Sequence, residues 1–122
     1  MKGFVTDIES ATLRNSDYRR VLFTGPKTQL VLMTLAPGDE IGAETHDGHD
    51  QFIRVEAGTG TVVLDAEQHT LADGIAVVIP AGVRHNVINT SPDTPLRLYT
   101  LYSPPEHADG TVHHTKKDDP GH

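Results

Sequence analysis

The chain has 122 residues, a net charge of −7 and a hydrophobic fraction of 36%, with no Cys and no Trp. That length allows one domain with one core, and the lack of Cys excludes disulfides and thiolate chemistry. The acidic balance excludes nucleic acid as a partner, since phosphate binding needs clustered Lys and Arg, and it disfavours an anionic membrane surface.

The N-terminal residues Met1 to Asp7 lack the apolar stretch of a signal peptide. No apolar run reaches the about 18 residues that a membrane-spanning helix needs. A cytoplasmic location is expected. Residues 7–14 read as a weak helical or irregular piece. After Tyr18 the pattern changes to short β-rich runs at 21–24, 29–35, 51–56, 61–64, 75–79, 85–89 and 96–102. Turn residues punctuate them: Gly25-Pro26, Pro37-Gly38, Asp47-Gly48, Gly58-Thr59-Gly60, Asp73-Gly74, Pro80-Ala81-Gly82 and Ser91-Pro92. Short strands at close spacing predict an all-β barrel or sandwich.

Alternation assigns faces to some of these runs. Leu96, Leu98, Thr100 and Tyr102 share one side, opposite Arg97, Tyr99 and Leu101. Residues 61–71 read as a hairpin turning near Asp65-Ala66-Glu67, and Ala76-Val77-Val78-Ile79 as a strand covered on both sides. From Ser103 onward the chain turns to Pro, His, Asp, Lys and Gly. The expected division is therefore a barrel over 1–102 and a polar tail over 103–122, either disordered or laid against the barrel or a partner subunit.

The strongest pattern lies in the second half: Gly74, five residues, Pro80-Ala81-Gly82, two residues, His85, three residues, Asn89. The Pro-x-Gly corner delivers His85 to the start of a strand, where a ring nitrogen can point inward. Asn89 shares the face of His85 and Val87.

This spacing resembles the second motif of the cupin family, position for position. The family's first motif is recognisable but altered. Counting back from Gly58 places Gln51 where the family has Glu, His46 at the second His and Glu44 at the first. The resemblance spans about residues 30–102 and implies a double-stranded β-helix, the cupin jelly-roll barrel. It further implies one divalent metal ion held by Glu44, His46, Gln51 and His85. Three further residues stand in reserve: His49, which a local bulge could turn inward as a third imidazole, Asn89 and Tyr102. Losing one imidazole for an amide oxygen makes the site oxygen-rich, which favours iron or manganese over copper and leaves zinc and nickel open.

Cupins include dioxygenases, isomerases, epimerases and decarboxylases, so the resemblance alone does not choose an activity. The leading expectation is a dioxygenase-like metalloenzyme for a small oxygen-rich molecule, with Glu44 as the carboxylate able to shuttle a proton. One alternative is a sugar or sugar-phosphate isomerase or epimerase resembling mannose-6-phosphate isomerase, with Arg54 and Arg84 as candidate phosphate cations. The other is a ligand-binding or sensor module without turnover. The resemblance also implies a two-fold homodimer, with the strand over residues 18–24 as the exchanging edge.

Overall fold

A computed structural model describes residues 2–120. The first regular element, α1 (Ile8–Arg14), is a true helix of two turns. Asp7 caps it by accepting a hydrogen bond from the Ser10 backbone N–H at 3.1 Å, and Arg14 places a cation at the end where the helix dipole favours one. The helix packs against the barrel strands, which explains why Thr12 is fully buried.

Eight strands follow: β1 (Arg19–Thr24), β2 (Gln29–Leu35), β3 (Asp50–Ala57), β4 (Gly60–Leu64), β5 (Glu67–Leu71), β6 (Ala76–Ile79), β7 (His85–Asn89) and β8 (Leu96–Ser103). The tail adds β9 (Val112–His113) and a short 3-10 turn at Lys116–Asp118. All pairings are antiparallel, in one sheet ordered β6-β3-β8-β2-β1-β9 and a second ordered β5-β4-β7. The all-β expectation holds, and the hairpin over residues 61–71 is β4 and β5.

The inner faces of the two sheets meet in an aliphatic core. Leu96, Leu98, Thr100 and Tyr102 are all buried along β8, as the alternation predicted. They meet Val31, Met33, Ile53 and Val55 from the same sheet and Val62 and Val87 from the other. Each such aliphatic side chain contributes about 1.5–3 kcal/mol by leaving water. Gly58 serves the close packing, because a Cβ there would lie 2.6 Å from the Pro95 carbonyl oxygen and φ is +101°.

One expectation is corrected. β6 is not covered on both sides: it forms the edge of the large sheet, and Val78 is 65% exposed while Val77 and Ile79 face inward. On the outer edge of β1, Arg19 and Arg20 pair with the chain's own β9.

The tail lies against the barrel. Beyond β9, Arg19 forms a buried ion pair with Asp119 at 2.8 Å, and its guanidinium also stands 3.2 Å from His113 Nδ1. His107 packs edge-on to Tyr102, with ring centroids 5.2 Å apart. Burial, aided by the nearby charge of Arg19, pushes the His107 imidazole down from 6.5 to about 4.

That depression sets a direction for stability against pH. In the unfolded chain the imidazole takes up its proton near 6.5, whereas in the folded chain it resists down to about 4. Stability is therefore complete above about pH 6.5 and falls as the pH drops toward 4. Burial also lowers His46, which adds to the same slope. A melting series from about pH 7 to about 4.5, running from the ordinary imidazole value toward the depressed one, is expected to show this decline, shallower in His107→Gln. An identical decline in the variant would contradict the assignment.

Candidate metal centre

His85 owes its placement to the corner before it. Gly82 adopts a φ of +89°, its N–H donates to the His46 carbonyl at 2.8 Å, and Val83 N–H closes the turn on the Pro80 carbonyl at 3.2 Å. On the other side of the corner the Ala81 N–H donates to Asp50 Oδ1 at 2.8 Å. The corner is thus tied to both ends of the 46–50 segment that carries the other histidines.

Glu44 reaches the same place by pairing with β7. Glu44 and His85 exchange both backbone hydrogen bonds, each at 2.8 Å. Residues paired in this way project their side chains on the same face of a sheet. Glu44, His46 and His85 accordingly bring one donor atom apiece within 4.8 Å of one another. Donors bound about 2.1 Å from a common ion stand about 3 to 4 Å apart, so small side-chain adjustments suffice to close them on one ion.

The protonation pattern suits this role. His85 is 4% exposed, and its Nδ1 lies 2.9 Å from the Val83 carbonyl, a contact that makes Nδ1 the N–H donor. Its Nε2 is then an acceptor, buried and without a hydrogen-bond partner. Burial holds the His46 imidazole below its usual value against the opposing pull of Glu44 and Glu106, which favours the neutral ring that a metal ligand must be. Its Nε2 stands 3.9 Å from Glu44 Oε1.

Gln51 comes from β3, opposite Tyr102 on β8. Its Nε2 donates to Thr100 Oγ1 at 3.0 Å, which leaves Oε1 as a buried acceptor with no partner. The cluster of Glu44, His46 and His85 therefore fits a divalent ion chemically, with the orphaned His85 Nε2 as an acceptor that such an ion would match.

His49 lies beside His46, with ring centroids 4.5 Å apart, and not among the Glu44–His85 donors. It joins a second cluster with His46 and Glu106. Its Nε2 is 2.9 Å from Glu106 Oε2, yet out of line for a hydrogen bond. Tyr102 presents its ring edge-on to both histidines, at 6.1 Å from His46 and 5.5 Å from His49, and burial raises its hydroxyl pKa so that it stays protonated.

Asn89 stands apart from the cluster. Its amide donates to the carbonyls of Leu35, Ala36 and Thr94 and accepts from the Ser91 N–H, so it stitches loops at the far end of β7. Glu106 was not anticipated from the sequence. The signal available was its place four residues after Tyr102, where β8 leaves the sheet beside the histidines.

A family model for the cupin domain matches residues 31–102. This chain is a cupin. It is 46% identical over 123 aligned residues to the uncharacterized protein YrkC of Bacillus subtilis, an alignment covering 96% of this cupin and 66% of that protein. The cupin thus spans slightly less than two thirds of that relative's length. The crystal structure of BH2720 from Bacillus halodurans superposes with a TM-score of 0.93 at 45% identity, covering 96% of this cupin and 92% of that chain. KdgF from Halomonas sp. is more distant, with a TM-score of 0.67, 27% identity, and coverage of 72% and 78% respectively. Among the described residues, no helix of the cupin is long and apolar enough to cross a membrane.

Proposed function

We propose that this cupin is a metal-dependent enzyme that acts on a small, oxygen-rich organic molecule in the manner of a dioxygenase. The observation that carries the reading is the pair of buried, partnerless acceptors, His85 Nε2 and Gln51 Oε1. Each unmatched acceptor costs about 1–3 kcal/mol; a divalent ion beside Glu44 and His46 would answer His85 Nε2, and the Gln51 oxygen on neighbouring β3 is proposed as its fourth donor. Such an ion, when bound, polarises a coordinated oxygen and lowers the pKa of an enol or water there. The mixture of one carboxylate, one amide oxygen and two imidazoles favours iron or manganese.

The remaining chemistry belongs to the chain. A Glu44 carboxylate oxygen left free by the ion would take a proton from a substrate hydroxyl. Tyr102, kept protonated by burial, walls the site with a neutral ring. A chelating substrate such as an enediol, a β-diketone or a hydroxy acid suits this oxygen-rich mouth. A sugar phosphate is less well served, because Arg54 is already paired with Glu56 at 3.4 Å.

The test is reconstitution with Fe(II), Mn(II) or Zn(II) in turn, followed by incubation with those three compound classes under air and under nitrogen. Substrate loss coupled to dioxygen uptake is expected with iron, and is expected to vanish in Glu44→Ala and His46→Ala. Tight binding without any loss would overturn the enzymatic reading in favour of a ligand-binding module. Conversion that ignores dioxygen would replace it with an isomerase.

A further inference from the structure

The two donor clusters share His46. A neutral imidazole has one lone pair and one N–H, so the ring serves an ion on one side only. Its two nitrogens face different carboxylates at ion-pair distance, short of a hydrogen bond: Nε2 lies 3.9 Å from Glu44 Oε1, and Nδ1 lies 3.5 Å from Glu106 Oε2. The buried, partnerless Nε2 of His85 belongs to the Glu44 cluster. The lone pair of His46 is therefore wanted at Nε2, which leaves Nδ1 as an N–H in need of an acceptor.

We propose that Glu106, delivered by the C-terminal tail, is that acceptor, a positioning residue that holds the His46 ring with Nε2 turned toward Glu44 and His85. This rests on the ligand assignment made above. A carboxylate behind a metal-bound histidine fixes its tautomer and raises its basicity. The second cluster is on this account not a second ion site but the support behind the first. Glu106 Oε2 sits between two imidazoles, at 3.5 Å from His46 and 2.9 Å from His49.

The fold secures the backbone at Glu106 through a buried side-chain amide. Gln29 on β2 is fully buried, and its side-chain oxygen accepts the backbone N–H groups of Glu106 at 3.1 Å and His107 at 3.0 Å. Its side-chain nitrogen donates to the His107 carbonyl at 2.8 Å and to Thr24 Oγ1 at 2.9 Å. One amide thus clasps the tail backbone at residues 106–107 through three hydrogen bonds. Farther along, the Arg19–Asp119 ion pair and the β1–β9 pairing hold the rest of the tail. The tail is accordingly part of the site, not an appendage to it.

The experiment is zinc binding to the apoprotein in competition with a chromophoric chelator, alongside 15N NMR of the histidine rings in the zinc-loaded wild type. Glu106→Ala is expected to weaken zinc binding about 10- to 100-fold. Glu106→Gln, which keeps an acceptor oxygen without the charge, is expected to recover part of the loss. The apoproteins should melt together, since the Glu106 side chain is 31% exposed. His46 should show a protonated Nδ1 and a zinc-bound Nε2. Wild-type affinity in Glu106→Ala, or zinc on Nδ1 of His46, would overturn the role of Glu106 while leaving the metal site standing. A wild type that binds no zinc would overturn both.

Discussion

Replacing His85 by alanine is expected to lower divalent-metal affinity by more than the roughly 100-fold that loss of a supporting residue costs. The apoprotein is expected to lose comparatively little stability. The reason is an asymmetry around the ring. One nitrogen is anchored to the Val83 carbonyl at 2.9 Å, while the other is buried with nothing to accept from. An apo His85 thus bears an unmet acceptor costing about 1–3 kcal/mol, which partly offsets what its packing contributes. A histidine that merely fills the barrel would behave in the opposite way, with a large fall in melting temperature and no change in metal affinity. Chelator competition and thermal melting on the same preparation separate the two outcomes.

The second large effect is expected at Asp119. Asp119→Ala leaves the Arg19 guanidinium, 2% exposed, without its carboxylate. Stranding one member of a buried pair costs about 3–5 kcal/mol. The His113 contact and the Tyr18 ring, 5.2 Å from the guanidinium carbon, soften this to the lower end. A loss of about 3 kcal/mol corresponds to a fall in melting temperature of about 10 °C for a domain of this size. Because the same ion pair holds the tail that brings Glu106 to His46, zinc affinity should fall as well. Replacing both partners with apolar residues, Arg19→Met with Asp119→Leu, is expected to restore most of the stability. A melting temperature in Asp119→Ala within about 2 °C of wild type, a shift too small for a buried pair of this kind, would refute the account of the tail.

What the sequence made legible was local. The Pro80-Ala81-Gly82 corner, the alternation along β7 and β8, and the hairpin of β4 and β5 follow from turn chemistry and period-two patterning, both readable in a short window. Glu44 was harder, since it lies outside any named strand and owes its position to a two-bond pairing with His85. Spacing and resemblance brought it to attention, but not the local backbone path. The run Ala76-Val77-Val78-Ile79 misled because its hydrophobicity suggests two covered faces, whereas edge position is decided by which strands lie beside it.

The tail was opaque for a different reason. Its order comes from partners far away in the chain, with Gln29 standing 78 residues from His107 and Arg19 standing 100 residues from Asp119. No periodicity in residues 103–120 announces those bonds, and composition alone leaves open whether the segment is disordered or laid against the barrel or a partner subunit. Glu106 was missed with the tail that carries it. His49, weighed as a replacement imidazole, is found instead on the Glu106 side of His46.

The central claim is that one divalent ion binds at Glu44, His46, Gln51 and His85, and a crystal soaked in zinc and measured at the zinc absorption edge tests it directly. The account predicts one anomalous peak about 2.0–2.2 Å from His85 Nε2, His46 Nε2, a Glu44 carboxylate oxygen and Gln51 Oε1. A peak centred between His46 Nδ1, His49 and Glu106, or none within reach of His85, would contradict it.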